Sequence, residues 1–266
     1  MAHNFIIAIL LFVMKVVAVV LARIGSTRLP GKTMYPLAGE TAIRRTIDRL
    51  STASTIDEII LATSKKTRDD VLAKEAHGAG IEVFRGSETD VLGRTHNASL
   101  QLGADLIVRI AGDCPLVSPK IVDHCVSKLS ESGADYVSNK LKRTFPLGFD
   151  VEAFTAESFF SVDELAASSY EREHVTVYYI ENKSKFDCIN FTSDEIFSKE
   201  QHQDRTDIEV VLDEPADFEM LSKLYKNLPT PRAEYQKIIN TVDENGMAKI
   251  NESVQRTKNK KNRDSK

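Results

Sequence analysis

Short apolar runs alternate along this chain with longer stretches in which apolar residues recur at helical spacing. The runs at Lys15 to Leu21, Glu58 to Ala62, Glu82 to Phe84 and Leu106 to Ile110 predict strands, and Thr41 to Thr52, Arg68 to Ala79 and Asp90 to Leu102 between them predict helices. Strand and helix in strict alternation predict βαβ units, hence an α/β fold with a mainly parallel sheet. Such a sheet binds ligands outside the carboxyl ends of its strands. Beyond residue 130 the alternation weakens, interrupted by PLGF and by the polar region Glu181 to Arg205, so this half is assigned to the substrate side. Ile208 opens a further strand-like run, IEVVL, which passes through Asp213 and Pro215 into a helix, where proline suits the first turn.

The two ends break the pattern. FIIAILLFV (Phe5 to Val13) merges with the first strand, Met14 to Leu21, into one apolar run broken only by Lys15. A bilayer span needs about 20 apolar residues, a length reached only by consuming that strand. The leader MAHN is not basic, and cleavage near Ala18 or Ala22 would delete the strand, so a signal peptide fits no better. We therefore expect an apolar extension over 1–13, one domain over 14–250, and a basic, disordered tail over 251–266, with no stable membrane insertion. A chain that is 42% hydrophobic can bury one full core. Its formal charge of −4 gives no electrostatic footprint for nucleic acid. Cys114, Cys125 and Cys188 show no paired spacing, so neither a disulfide framework nor a zinc site is expected, and reduced thiols in a cytoplasm fit better.

The chemistry concentrates after the first strand, in LARIGSTRLPGK (Leu21 to Lys32). Gly25 and Ser26 would let backbone N–H groups face an anion, Arg23, Arg28 and Lys32 supply charge, and Thr27 adds a hydroxyl. This predicts a phosphate-binding loop. It is not a Walker A motif: Gly25 is one residue too early, and Pro36 and Gly39 would break the helix such a loop must enter. Asp113 in AGDCP and Asp213 after IEVVL each follow a strand-like run. Carboxylates so placed, facing a triphosphate, suit Mg²⁺, although each alone also reads as a turn-forming Asp. Asp150 and Glu152 would share one face of a strand, reaching a metal, sugar hydroxyls or plain solvent. Arg172, Glu173 and His174 form a charged trio that reads equally as a bidentate carboxylate site at Arg172 or as a solvated helix end.

The loop resembles that of the sugar cytidylyltransferases, which include the CMP-sialic acid and CMP-KDO synthetases, and most closely their SpsF-like spore coat polysaccharide branch. The resemblance continues in order through ATSKKTRDD, FRGSETDVLGR, VRIAGDCPLVSP, ADYVSN, PLGFDVEAF, REHVT and VLDEPADFE, from about Met14 to Leu228. It implies a three-layer α/β/α, nucleotide-diphospho-sugar transferase (GT-A-like) fold. The implied reaction is attack of a sugar hydroxyl on the α-phosphate of CTP with loss of pyrophosphate. The likeness makes Arg23, Lys32 and Asp113 catalytic, and gives the nucleotide Leu21, Ala22, Arg23, Gly25, Ser26, Thr27, Arg28, Lys32, Arg109 and Asp113. It further implies Mg²⁺ on Asp113 and Asp213, and an acceptor sugar near Asp150, Glu152, Arg172 and His174. A homodimer is among the expectations. Two other readings stay open: a glycosyltransferase using a nucleotide sugar on the same fold, and a noncatalytic nucleotide-binding subunit.

Overall fold

The computed structural model describes residues 14–254, so the apolar run Phe5 to Val13 and the tail beyond Val254 lie outside the described residues. The predicted alternation is present as β1 (Val16–Leu21), α1 (Ala42–Leu50), β4 (Glu58–Ser64), α2 (Asp70–Gly78), β5 (Glu82–Gly86), α3 (Val91–Gln101) and β6 (Leu106–Ala111). A small hairpin, β2 (Pro36–Leu37) with β3 (Glu40–Thr41), precedes α1. The second half supplies α4 (Pro119–Ser132), β7 (Tyr136–Ser138), β8 (Glu152–Thr155), α5 (Ala156–Leu165), α6 (Ser169–His174), α7 (Val177–Glu181), β9 (Cys188–Asn190), α8 (Pro215–Asn227) and α9 (Tyr235–Glu244).

Among the described residues, seven strands form one sheet in the order β5-β4-β1-β6-β8-β7-β9. Only β8 runs against its neighbours, antiparallel to both β6 and β7. The central strand β1 is apolar at every position because both faces are covered. Along β1, Val16, Ala18 and Val20 pack on the side of α1, α4, α8 and α9, while Val17 and Val19 pack with Ile60 and Ile107 on the side of α3 and α5. That is the three-layer α/β/α arrangement. Side-chain caps fix the helix starts: Thr41 accepts from Arg44 N–H at 3.2 Å, and Asp90 from Gly93 N–H at 2.9 Å.

Two expectations change here. The run IEVVL forms no strand of the sheet; Glu209 makes a single bridge to Leu147, and the segment is tied by Val210 N–H to Leu147 O at 2.7 Å. Nor does the folded part stop at residue 250. Asn251 is buried and donates to Asp217 Oδ1 at 2.8 Å, and Val254 is also buried. Among the described residues no helix is long and apolar enough to cross a membrane.

Candidate active site

β1 and β6 are parallel neighbours whose last residues, Leu21 and Ala111, are in register, so their following loops leave the sheet side by side. β4 flanks β1 on the other side, which makes this the crevice where connections diverge, the expected ligand position in an open α/β sheet. The loop after β1 folds back on itself: the N–H groups of Ser26 and Gly31 both donate to Ile24 O, at 2.8 and 3.1 Å. Ser26 N–H is thus turned inward, and not toward an anion as its sequence position suggests. Gly31 sits at φ 70°, a conformation that costs a side chain dearly. The base of the loop is pinned by Asp69, fully buried at the head of α2, which accepts from Ile24 N–H at 2.8 Å and from the Ser64 hydroxyl.

Lys32 opens a single 3₁₀ turn, Lys32–Met34, in place of the long helix of a Walker A loop. Its ammonium donates to Asp213 Oδ1 at 2.6 Å and to Asp113 Oδ2, uniting residues 81 and 181 positions away. Burial pulls the ammonium pKa down, but Asp113 and Asp213 outweigh it and leave it above the ordinary lysine value, so Lys32 is charged at neutral pH. Arg28 Nη2 lies 2.7 Å from Asp213 Oδ2. Asp213 is set in place by buried Asp217, whose carboxylate accepts from the N–H groups of Asp213 and Glu214 at 3.0 and 2.9 Å. Leu212 N–H donates to Asp113 O at 2.9 Å and draws the two aspartates together.

Two carboxylates meeting on one cation fit a hard divalent ion such as Mg²⁺, which takes few protein oxygens when phosphates complete its shell. Among the described residues no cluster of three or more His, Cys, Asp or Glu is arranged to hold a metal, so the pair would need those phosphate oxygens or water.

These groups face a cavity of about 340 Å³. Leu21, Ala22, Arg23, Gly25, Ser26, Thr27, Arg28 and Lys32 line one wall, with Arg109, Asp113 and Asp213 at the strand ends. His174, Glu173, Arg94 and Val91 also line the cavity. The fold therefore brings together every residue the sequence assigns to nucleotide and metal. A larger cleft of about 740 Å³, between Lys120, Phe197 and Lys237, contains none of them.

Three of the acceptor residues are placed differently. Asp150 and Glu152 do not share a strand face, because β8 begins at Glu152 and Asp150 precedes it, paired with Arg143 at 3.0 Å. Glu152 is 2% exposed and sits behind Arg109, accepting from its guanidinium, from Lys140 Nζ at 3.0 Å and from Tyr136 OH at 2.9 Å. Burial pushes its carboxyl upward, yet Lys140, Arg109 and these hydrogen bonds prevail and hold it at about 2. Arg172 is also absent from the cavity wall, its guanidinium being spent on Asp90 and Asp163.

Sequence reasoning missed Arg94 and Asp69. Arg94 is 4% exposed, donates to Ser87 O and Glu88 O, and has a buried Nε without a partner among the described residues. Its position inside the block DVLGR was the available signal; nothing in helical spacing marks it.

A family model described as "Cytidylyltransferase" matches residues 17–258. The uncharacterized protein MJ1063 of Methanocaldococcus jannaschii is 34% identical over 242 residues, covering 91% of this chain and 96% of that protein. The spore coat polysaccharide biosynthesis protein SpsF of Bacillus subtilis is 29% identical, over 78% of this chain and 85% of its own. Among solved structures, a cytidylyltransferase from Leptospira borgpetersenii superposes with a TM-score of 0.82 at 31% identity, covering 88% of this chain and 96% of that one.

Proposed function

The chain belongs to the cytidylyltransferase family, and we propose that within it this protein transfers CMP from CTP to a hydroxyl of an acidic sugar, releasing pyrophosphate, for a surface polysaccharide or related glycan. In this reaction the hydroxyl oxygen bonds to the α-phosphorus, the bond from that phosphorus to the bridging β-phosphate oxygen breaks, and the hydroxyl proton is lost to solvent or a nearby base. Negative charge gathers on the departing pyrophosphate and the α-phosphoryl oxygens, so positioned cations do most of the catalytic work.

The observation that carries this reading is the convergence of Lys32, Asp113 and Asp213 on one charge centre beside the arginine-bearing loop. Arg23, Arg28 and Lys32 would bind the triphosphate and neutralise the leaving group. Asp113 and Asp213 would hold Mg²⁺, which supplies further charge neutralisation at phosphate oxygens when bound. Arg94 and Arg109 each keep a buried Nε–H without a partner among the described residues, while lining the cavity. Their guanidinium groups add positive charge to the cavity lining, which suits an anionic acceptor such as a sugar carboxylate.

The test is pyrophosphate release by the full chain with Mg²⁺, each of the four nucleoside triphosphates and a panel of acidic, amino and neutral sugars. Release is expected with CTP and one acidic sugar, and should fall roughly a hundredfold or more in Asp113→Ala. Release with a different triphosphate, or a wild-type melting temperature unmoved by saturating CTP, would overturn the reading.

A further inference from the structure

Two sequence blocks, DVLGR and REHVT, carry a structural relation that the triphosphate site does not use. Arg172 has five guanidinium N–H groups, and the fold engages all of them. Nε and Nη2 donate to the two oxygens of Asp90 at 2.8 and 3.0 Å, Nη2 also to Asp163 Oδ1 at 2.6 Å, and Nη1 to the carbonyls of Asp163 and Ala166 at 2.9 and 3.2 Å. No donor is left over for a ligand. The same guanidinium joins the N-cap of α3 to the C-terminal turn of α5, and it is carried by α6.

The remaining geometry is shaped around this contact. A Cβ on Gly93 would collide with Asp90 Oδ2 and stand 2.8 Å from Arg172 Nη2. Glycine inside a helix is unfavourable for backbone entropy, and here its bare Cα makes room for the clamp. Asp163 is fixed from behind by His96 Nδ1 at 2.6 Å. Directly after α6, Val175 adopts φ 49°, ψ −56°, with Thr176 N–H donating to His174 O. This is a γ-turn of the rare positive-φ kind, on a buried β-branched residue that strongly resists it. A strained turn persists only where its surroundings over-determine it. Between the clamp and that turn lie Glu173 and His174, the two side chains α6 presents to the cavity.

We propose that Arg172 is a positioning residue: with Asp90 and Asp163 it clamps α6 across α3 and α5, holds the Val175 turn, and so fixes Glu173 and His174 on the cavity wall. That this wall serves the acceptor rests on the function proposed above; the clamp itself does not. Glu173 Oε1 lies 3.7 Å from Arg23 Nη2, so the clamp also sets the spacing between α6 and the phosphate loop.

Hydrogen exchange on the full, ligand-free chain tests the clamp, in Arg172→Lys, which keeps the charge but not the planar fork, and in Gly93→Ala, which crowds the contact from the α3 side and leaves the residues of α6 unaltered. Both variants should speed exchange of amides 168–176 at least tenfold while leaving β1 unchanged. With the sugar selected by the panel above, kcat should fall at least tenfold at an unchanged KM for CTP. Unchanged exchange over 168–176, acceleration shared equally by β1, or faster exchange at undiminished kcat would each overturn the proposal. Failure of CTP to protect residues 21–32 in the wild type would reject the functional reading instead, and the exchange result over 168–176 would still decide the clamp.

Discussion

Glu152→Gln isolates the buried charge network behind the cavity. The carboxyl stands at about 2, against 4.5 for an ordinary glutamate, so its ionisation favours the folded state by 2.5 pK units. At 1.36 kcal/mol per unit this is about 3 kcal/mol. Glu152 is 2% exposed, so solvent screening removes little of it. Because the folded pKa is depressed, the contribution is complete above the unfolded value of 4.5 and is lost as pH falls through about 2. Glutamine keeps the shape but not the charge, leaving the Arg109 guanidinium and Lys140 ammonium without their counter-ion. Urea unfolding followed by far-ultraviolet circular dichroism should place the variant about 3 kcal/mol below wild type near pH 7, and the same linkage leaves about 1 kcal/mol near pH 3. A gap under about 1 kcal/mol at neutral pH, or one that does not narrow in acid, refutes the argument that ion pairing outweighs burial there.

Lys32 occupies the point between Asp113 and Asp213 where a divalent ion would sit. Lys32→Met should therefore tighten binding of Mn²⁺ to the nucleotide-free protein roughly tenfold, the scale of one charge-assisted hydrogen bond, while weakening CTP; paramagnetic titration showing no gain in Mn²⁺ affinity would contradict this. Gly148 lies at φ 110°, and a Cβ there would stand 2.7 Å from the backbone of Val210 and Val211. Gly148→Ala should cost about 2–4 kcal/mol, and a chemical-denaturation stability within about 0.5 kcal/mol of wild type would count against that crowding.

The first half of the fold is legible in the sequence because a parallel strand buried on both faces is a continuous apolar run, and its helices carry a clear stripe. The second half hides its strands: β7 and β9 are three residues each, too short for any period to show. The run IEVVL has strand composition, but it meets Leu147 at one bridge and spends its backbone fixing Asp213. At the site, the phosphate loop is a local string and can be read as one. Glu152 and Arg172 are misread because each has one ionic partner that is remote: Arg109 is 43 residues from Glu152, and Asp90 is 82 from Arg172. A charge on an alternating strand looks solvated until the opposite charge is folded onto it. Asp69 is inconspicuous for the same reason, since Ile24, whose N–H it accepts, lies 45 residues earlier.

The hydrogen bond from Leu212 to Asp113 has a further meaning for how the protein is made. Lys32 and Asp113 are synthesised early, but the carboxylate that completes their charge centre arrives 181 residues after Lys32. A nascent chain still lacking Ile208 to Asp213 holds a cationic loop and only half of the acid pair. Ligand binding can stabilise a fold only through a site that exists, so nucleotide has little with which to reward such an intermediate. The full site is acquired only once Asp213 has been made, and a product truncated before Asp213 would keep the phosphate loop in its sequence without the acid pair needed beside it.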